Sequence, residues 1–477
     1  MDFAETLKPL HWDRFERYRR RIKSLRVVSR PPALSPGSTL ELLSTAPRGE
    51  AIFPSLTALC WTHLDYDNRQ LAIALFHPKL ERASLSLMDP EMQSGFVIEH
   101  LIRISPHLQS LSYWNATGAE STLQARASVL RAFASLQSVR SVELDTTLLT
   151  PELVQTLAHK PHLQRLWASR FAPKLPSLYS SEDMDIASSS AFPALSELSV
   201  ESVALLRIPG ILVAGARLIS LYIEVLSMDS IRALSTLVST RCTNLRYLCM
   251  LSNLAPDQST PFSMDMVRPL LRLRKVETLV IESLVPPLLS DRDIEELVAG
   301  FPELRHLEIC PRAVTEPQQP CPTLAGVTSI ARHCRKLISF GIYVDASNPP
   351  AKPLRSDIYV FSLSLETMHV LCSRIYEPYL VADFLLPIMP ARAALVFRRY
   401  SEHLQAFGDV LGTLSRSVDS EEGLNGNMKL YRNRWTETSK LLRYLKHTRE
   451  TIVAQRTENA KLMRQLESGD HQSSPTI

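Results

Sequence analysis

The stretch SDRDIEELVAGFPELRHLEI, residues 290–309, contains two periodicities in direct succession. In its first half, Ile294, Leu297 and Val298 recur at the three- and four-residue spacing that places side chains on one face of a helix. Its second half, FPELRHLEI, follows the pattern LxxLxL, in which the last two apolar residues alternate as they do on one face of a strand. The stretch therefore predicts a helix that is followed at once by a strand.

The LxxLxL pattern recurs through most of the chain. The first and last of twelve starts, Leu56 and Leu365, lie eleven intervals apart, which gives a mean period of about 28 residues. That period is typical of leucine-rich repeats, each of which supplies one strand and one helical segment. The starts are Leu56, Leu80, Leu108, Val139, Leu163, Leu195, Leu218, Leu245, Val276, Leu304, Leu337 and Leu365. Leucine runs also occur in ordinary helical cores, but the form FPxLxxLxI after a helical segment recurs here and favours repeats.

The sequence therefore predicts an α/β fold: a leucine-rich-repeat solenoid with a curved parallel sheet and outer helices, plus a long C-terminal helix. The predicted domains are an N-terminal helix at 1–35, the solenoid at 40–385, a capping helix at 391–418, a long charged helix at 427–467 and a disordered tail at 468–477. Polar stretches at 171–192 and 345–357 interrupt the period and are predicted to be surface loops. The long helix either caps the solenoid, lies free in solvent or forms a coiled coil.

Composition narrows the possible partners. The charges nearly balance, with 53 Lys and Arg against 49 Asp and Glu, so a net charge of +4 points to neither nucleic acid nor membrane. Seven cysteines without a C-x-x-C pair suggest neither a zinc site nor a disulfide framework, and they favour a reduced cytoplasmic or nuclear protein. No apolar run approaches the ~20 residues that a membrane helix needs, so we expect a soluble protein.

No catalytic motif is present. The sequence lacks GxxxxGK[ST], GxGxxG, GxSxG and HExxH, and its 14 glycines are few for a nucleotide-binding enzyme. His159 and His162 are close in sequence but have no cysteine or carboxylate at ligand spacing, so surface histidines are the simpler interpretation. The basic run at 17–23 is a solvated helix face, a nuclear import signal or a nucleic-acid patch. We therefore predict that the protein is not an enzyme and has no cofactor and no metal site.

The segment LHWDRFERYRRRIKSLRV, residues 10–27, together with the FPxLxxLxI units, resembles fungal F-box proteins with leucine-rich repeats. In that family a similar helix, with tryptophan, phenylalanine and then a basic run, follows the F-box and leads into the repeats. The resemblance covers most of residues 10–385. It implies an apolar helix face of Trp12, Phe15, Ile22 and Leu25 and a solvated edge of Arg19, Arg20, Arg21 and Lys23.

The resemblance implies a function as well. Such a protein is the substrate-binding part of an F-box subunit of a cullin-type (SCF) ubiquitin ligase, and it commits its bound protein to ubiquitin-dependent degradation. Its second partner would be the Skp adaptor, which docks on the F-box. This chain departs from the family because neither residues 1–30 nor any other segment reads as a complete F-box with an LPxE-type opening. The alternative is therefore a scaffold or interaction protein without a link to the ligase.

The candidate site follows from the geometry of the repeat. Positions 3, 5 and 7 of LxxLxLxx point outward on the concave face of the sheet, and the twelve repeats place seven acids there against two bases, Arg82 and Arg165. Aromatic residues ringed by carboxylates suit a protein segment that carries Lys or Arg. The predicted partner-binding residues are Trp114, Glu143, Asp145, Trp167, Glu197, Glu201, Tyr222 and Glu224. Exposed strand residues are also polar by default, and a register error of one residue would select the opposite face.

Overall fold

The computed structural model describes residues 6–27, 36–45, 51–64, 69–87, 94–115, 123–169, 191–207, 211–212, 217–225, 230–252, 254–257, 259–350, 360–370, 372–396 and 426–469. The chain forms two compact units, Met1–Leu251 and Ser252–Ile477. In both units parallel strands alternate with helices along the chain. The predicted fold class, an α/β solenoid of leucine-rich-repeat type, is confirmed.

Within its described residues, unit 1 contains a ladder of parallel strands, each paired with the next one in the sequence. The strands are β1 (Ser24–Val27), β2 (Ala58–Leu64), β3 (Arg82–Leu87), β4 (Ser110–Asn115), β5 (Ser141–Asp145), β6 (Arg165–Ser169), β7 (Glu197–Glu201), β8 (Ser220–Glu224) and β9 (Tyr247–Leu251). The helices are α1 (Pro9–Arg19), α2 (Pro36–Thr45), α3 (Arg69–Ala74), α4 (Ser94–Ile104), α5 (Leu123–Ser135), α6 (Pro151–Ala158), α7 (Ser202–Arg207) and α8 (Ile231–Arg241). Successive helices pack on each other, α4 on α5 and α5 on α6.

Unit 2 repeats the same arrangement. Its strands are β10 (Thr278–Glu282), β11 (His306–Ile309), β12 (Ser339–Ile342), β13 (Thr367–His369) and β14 (Ala394–Val396), again parallel and in sequence order. Its helices are α9 (Met264–Val267), α10 (Asp291–Gly300), α11 (Leu324–His333), α12 (Pro378–Leu385) and α13 (Gly426–Gly469). Helix α10 packs on α11, and α12 packs on α13.

The FPxL sequence makes the turn from helix to strand. Helix α10 begins with a capping box, in which the Ser290 hydroxyl accepts from the Asp293 N–H and the Asp293 carboxylate accepts from the Ser290 N–H. At its end the Phe301 N–H donates to the Val298 carbonyl at 3.3 Å, and the Leu304 N–H donates to the Phe301 carbonyl at 3.3 Å. The side chains of Phe301 and Leu304 are buried, so packing in the core stabilises the turn as well as its backbone hydrogen bonds.

Alternation along the strands of unit 1, which is clearest in β5 and β7, separates a core from a polar face. In β5, Val142 and Leu144 are fully buried, whereas Ser141 and Glu143, which alternate with them, are half-buried. The buried set joins the apolar sides of the helices, such as Leu153 and Leu157 of α6, which are also fully buried. The strand side chains of unit 1 that alternate with this buried set are called the polar face below.

Two residues of the N-terminal segment, Trp12 and Phe15, pack against each other as the apolar helix face that the resemblance implies. The Trp12 indole lies edge-on to the Phe15 ring at 5.6 Å and donates to the Thr45 hydroxyl at 3.2 Å. Arg19 is not on a solvated edge, however: its side chain is buried, pairs with Glu16 and donates to a backbone carbonyl. The helix ends at Arg19, and residues 24–27 form β1, so strand pairing begins before the predicted start at 40.

The predicted long C-terminal helix is confirmed as α13, and its two halves differ. In the first half, the buried Trp435 donates from its indole to the Ser373 carbonyl at 2.7 Å. The buried Lys446 ammonium donates to the carbonyls of Pro390 and Ala393 at 2.7 and 2.8 Å. In the second half, every side chain over 451–464 is exposed. The helix therefore packs on unit 2 only with its first half, as far as the described side chains extend.

Other predicted segments fall wholly or partly outside the described residues. Of the predicted surface loop at 171–192, only residues 191 and 192 are described. Residues 351–357 of the loop at 345–357 and the tail from residue 470 on also lie outside the described residues. Of the predicted capping helix at 391–418, residues 394–396 form strand β14 instead, because they pair with β13. The rest of that helix lies outside the described residues.

Candidate functional site

The polar face of unit 1 consists of rows of side chains, because the register of neighbouring strands brings equivalent positions side by side. The middle row contains Arg26, Cys60, Ser84, Ser112, Glu143, Trp167, Ser199, Tyr222 and Cys249. A second row, nearer the strand starts, contains Ser24, Ala58, Arg82, Ser110, Ser141, Arg165, Glu197, Ser220 and Tyr247. Strands in a sheet lie about 4.8 Å apart, so each row is a regular series of side-chain positions.

The centre of the face is a charged and aromatic cluster on β6 and β7. Arg165 Nε donates to Glu197 Oε2 at 2.6 Å and Nη2 donates to Oε1 at 3.3 Å, which is a two-point ion pair between neighbouring strands. The same guanidinium lies 5.3 Å from the centre of the Trp167 ring. The Glu197 carboxylate beside it raises the pKa of Arg165 further, and Glu143 acts in the same direction. The arginine is therefore fixed as a cation between two carboxylates and an indole.

Tyr222 and Trp114 flank this cluster but expose little surface. Tyr222 is 8% exposed and Trp114 is 7% exposed. Burial raises the pKa of the Tyr222 phenol, so the hydroxyl stays protonated at every physiological pH. The Trp114 indole donates to the Ser112 hydroxyl at 3.0 Å, and that hydroxyl in turn contacts the Glu143 carboxylate. Both aromatics shape the face, while Trp167 is the half-exposed aromatic between them.

Two of the predicted acids lie inside the structure. Asp145 is 4% exposed, and its carboxylate accepts from the Thr147 N–H at 2.9 Å and the Thr147 hydroxyl at 2.7 Å. It thereby caps the 3-10 turn Thr146–Leu148. Glu201 is fully buried. Of the predicted acids of unit 1, this leaves Glu143, Glu197 and Glu224 half-buried on the face.

The acids that the same pattern identifies in unit 2 are also interior. Glu282 and Glu308 are 4% and 5% exposed. Glu282 accepts from Arg312 Nε at 3.1 Å, while burial raises the pKa of its carboxyl. The sequence count of seven outward acids is thus too high, since four of the seven are buried.

Two exposed residues were not among the predicted partner-binding residues, although the outward positions of the repeat pattern include Tyr247. Tyr247 is 38% exposed and follows Arg165, Glu197 and Ser220 in their row. Ile219 is 42% exposed and immediately precedes β8. A sequence signal for the isoleucine exists, because the equivalent position of the other repeats from β4 to β9 is polar. Those equivalents are Gln109, Arg140, Gln164, Ser196 and Arg246.

The described residues contain no group of three or more His, Cys, Asp or Glu side chains that could hold a metal ion. A histidine and a serine do meet in unit 2, where His306 Nδ1 lies 2.8 Å from the Ser339 hydroxyl. These residues are register partners on β11 and β12, and Ser339 is 6% exposed. The Ser339 hydroxyl is too buried for a substrate to reach. Its contact with His306 is therefore better explained as a hydrogen bond between neighbouring strands. None of the described helices is both long and apolar enough to cross a membrane.

Comparison with known proteins gives structural likenesses at low identity. The Rad7 and Elc1 complex in yeast contains a chain that matches with a TM-score of 0.37 and 16% identity, over 74% of this chain and 76% of that one. A chain of the TLR13–ssRNA13 complex matches with a TM-score of 0.36 and 14% identity, over 82% of this chain and 52% of that one. No protein-family model matches the sequence, and no curated protein matches it either. The repeat architecture follows from the strand ladders themselves.

Proposed function

We propose that the protein recognises another protein, without catalysis, through the polar face of unit 1. The observation that carries the proposal is the cluster of Arg165, Trp167 and Glu197. Tyr247 is exposed in the row that also contains Arg165 and Glu197. Aromatic and arginine side chains held rigidly by their neighbours are the residue types that dominate protein interfaces. The half-buried acids Glu143 and Glu224 suit a partner segment that carries Lys or Arg.

A capture experiment tests this proposal. The immobilised full chain is incubated with an extract of its source cells, and bound proteins are quantified by mass spectrometry. Trp167→Ala and Tyr247→Ala should lower the capture of at least one protein about tenfold, which corresponds to ~1.4 kcal/mol. The matched control is Tyr18→Ala, because Tyr18 is 64% exposed on α1 and lies outside the polar face. Identical captured sets for all four chains would contradict a recognition role for this face.

The finer proposal is that this recognition serves a cullin-type ubiquitin ligase. It rests on the resemblance of residues 10–27 and the repeats to fungal F-box proteins. Co-expression of the full chain with the Skp adaptor tests it: a stoichiometric complex supports the ligase role. No complex would favour the alternative, a scaffold that binds the same partner without a ligase.

A further inference from the structure

The charges on the polar face are separated by sign along the strand ladder. On β1 to β3 the charged side chains of the two rows are Arg26 and Arg82, and both are exposed. On β5 to β8 the half-buried acids are Glu143, Glu197 and Glu224, of which Arg165 pairs with Glu197. One end of the face is therefore positive and the other negative. Exposed charges also lie just before the strands, at the edge of the sheet. Lys23 and Glu81 lie there beside the positive end, Arg140 precedes β5 and Arg246 precedes β9, so the separation by sign belongs to the two rows and not to this edge.

The same separation between base and acid occurs in both rows. In the middle row, Arg26 on β1 lies four strands from Glu143 on β5. In the other row, Arg82 on β3 also lies four strands from a carboxylate, that of Glu197 on β7, which already pairs with Arg165. At about 4.8 Å per strand, four strands span ~19 Å. An extended chain advances about 3.3 Å per residue, so ~19 Å corresponds to about six residues.

Small side chains form the floor between the two ends. The positions between base and acid are Cys60, Ser84 and Ser112 in the middle row and Ser110, Ser141 and Arg165 in the other. Five of these six side chains are serine or cysteine. No bulky residue of the two rows therefore stands between Arg82 and Glu143, and a chain laid across the strands meets a low, uncharged surface there.

We propose that the partner segment carries charges of both signs, with acidic side chains over β1 to β3 and basic side chains about six residues away over β5 to β8. This inference rests on the proposed function and adds the chemistry and the direction of the bound segment. Arg26 and Arg82 would bind carboxylates, for which the planar guanidinium is suited. Glu143 and Glu224 would bind Lys or Arg. Because the two ends differ in sign, the segment binds in a single direction along the ladder.

A random library of displayed 16-residue peptides, selected on the immobilised full chain, tests the inference without knowledge of the natural partner. We expect enriched peptides to carry acids and bases about six residues apart. On the Arg26→Glu/Arg82→Glu chain the selected peptides should lose their acids and keep their bases. A peptide selected on the natural chain should bind that variant about tenfold more weakly, since two ion pairs become repulsive.

The matched control is Lys79→Glu/Arg103→Glu, which removes the same charge from two exposed residues outside the polar face. It should select the same peptides as the natural chain. Enrichment of purely basic peptides, equal on the natural and the Arg26→Glu/Arg82→Glu chains, would overturn the inference and leave the proposed function standing. Enrichment that is indifferent to both Glu143→Lys and Tyr247→Ala would overturn the proposed function as well.

The direction has its own measurement. A photoreactive group is placed at the acidic or at the basic end of a selected peptide, and the cross-linked fragment is identified by mass spectrometry. The acidic-end probe should label residues of β1 to β3, and the basic-end probe should label residues of β5 to β8. Equal labelling of both regions by one probe would contradict a single direction of binding.

Discussion

Two acids on one strand perform different tasks. Glu143 and Asp145 are both on β5 and two residues apart, so they point to the same side of the sheet. Glu143 is half-buried, whereas Asp145 is buried because the 3-10 turn that it caps begins at the very next residue. Glu201 is buried in the same setting, since helix α7 begins directly after it. The repeat pattern gives the side to which a residue points, but the start of the next element decides whether water reaches it.

This difference predicts a difference in stability between two similar substitutions. Asp145→Ala should lower the free energy of unfolding by ~1 kcal/mol, because the turn loses its capping acceptor. Glu143→Ala should lower it by less, because Glu143 is half-buried and caps no turn, and the Ser112 hydroxyl is the hydrogen-bond donor that it would leave. Urea unfolding followed by circular dichroism measures both. Equal losses would mean that Asp145 does not act as a cap.

Lys446 predicts a pH dependence. Burial lowers the pKa of its ammonium from the ordinary 10.5 to about 8, although Glu450 one turn away opposes the shift. Between pH 8 and 10.5 the unfolded chain then binds more protons at this residue than the folded chain, so stability rises with pH across that window. A lysine stabilised by an ion pair has the opposite effect, because stability then falls as the pH rises through its pKa.

The measurement compares the natural chain with Lys446→Met, which keeps most of the side-chain length and cannot titrate. From pH 7.5 to 9.5, the natural chain should gain about 2 kcal/mol of unfolding free energy relative to the variant. Titrations elsewhere in the chain cancel in this difference. A constant difference across the window would show that the ammonium is solvated in the folded protein.

At the scale of elements, the repeats were predictable where the sequence carries clear signals for the start and the end of each helix and strand. The stretch 290–309 gives both α10 and β11, because a capping serine, a helical stripe and an FPxL turn follow in order. Strand β1 was missed although Ile22, Leu25 and Val27 repeat the LxxLxL pattern. Its segment follows α1 within four residues and also fits helical spacing, so one short apolar run satisfies both periods. Pairing with β2 decides in favour of the strand.

Helix α13 predicts which part of the C-terminal region supports the fold. Deletion of residues 451–477 should leave the melting temperature of the protein within about 1 °C, because the side chains described there are exposed. Trp435→Ala should instead lower the free energy of unfolding by ~3–5 kcal/mol. The indole is fully buried, and the hydrogen bond from its N–H to the Ser373 carbonyl is lost. Differential scanning calorimetry on the two variants distinguishes the halves. A large drop for the deletion would mean that the exposed half contributes packing.

At the scale of the whole molecule, six of the seven cysteines are buried. None of the seven cysteines forms a disulfide bond; Cys60 is half-buried on the polar face, and the other six are buried. Burial raises the pKa of Cys242 and of Cys334 to about 12, which keeps both as unreactive thiols at neutral pH. The sequence indicated buried thiols from their apolar surroundings. Cys60 and Cys249 both lie in the middle row, but only Cys60 keeps part of its surface exposed.

A thiol-titrating reagent checks this distribution. At neutral pH we expect one thiol to react quickly, and all seven to react once the chain is unfolded in urea. Cys60→Ser should abolish the fast phase, whereas Cys334→Ser should leave it intact. Fast reaction of two or more thiols would show that part of the interior opens readily.

Because the register of the middle row is unbroken, the number of repeats in unit 1 sets the distance between the charged groups that a ligand must match. Each additional repeat between Arg26 and Glu143 would lengthen the distance between the two charged ends by one strand spacing, about 4.8 Å. A ligand would have to grow by roughly one and a half residues to match. Gain or loss of a single repeat would therefore change which partners fit in discrete steps, without any substitution among the residues that contact them.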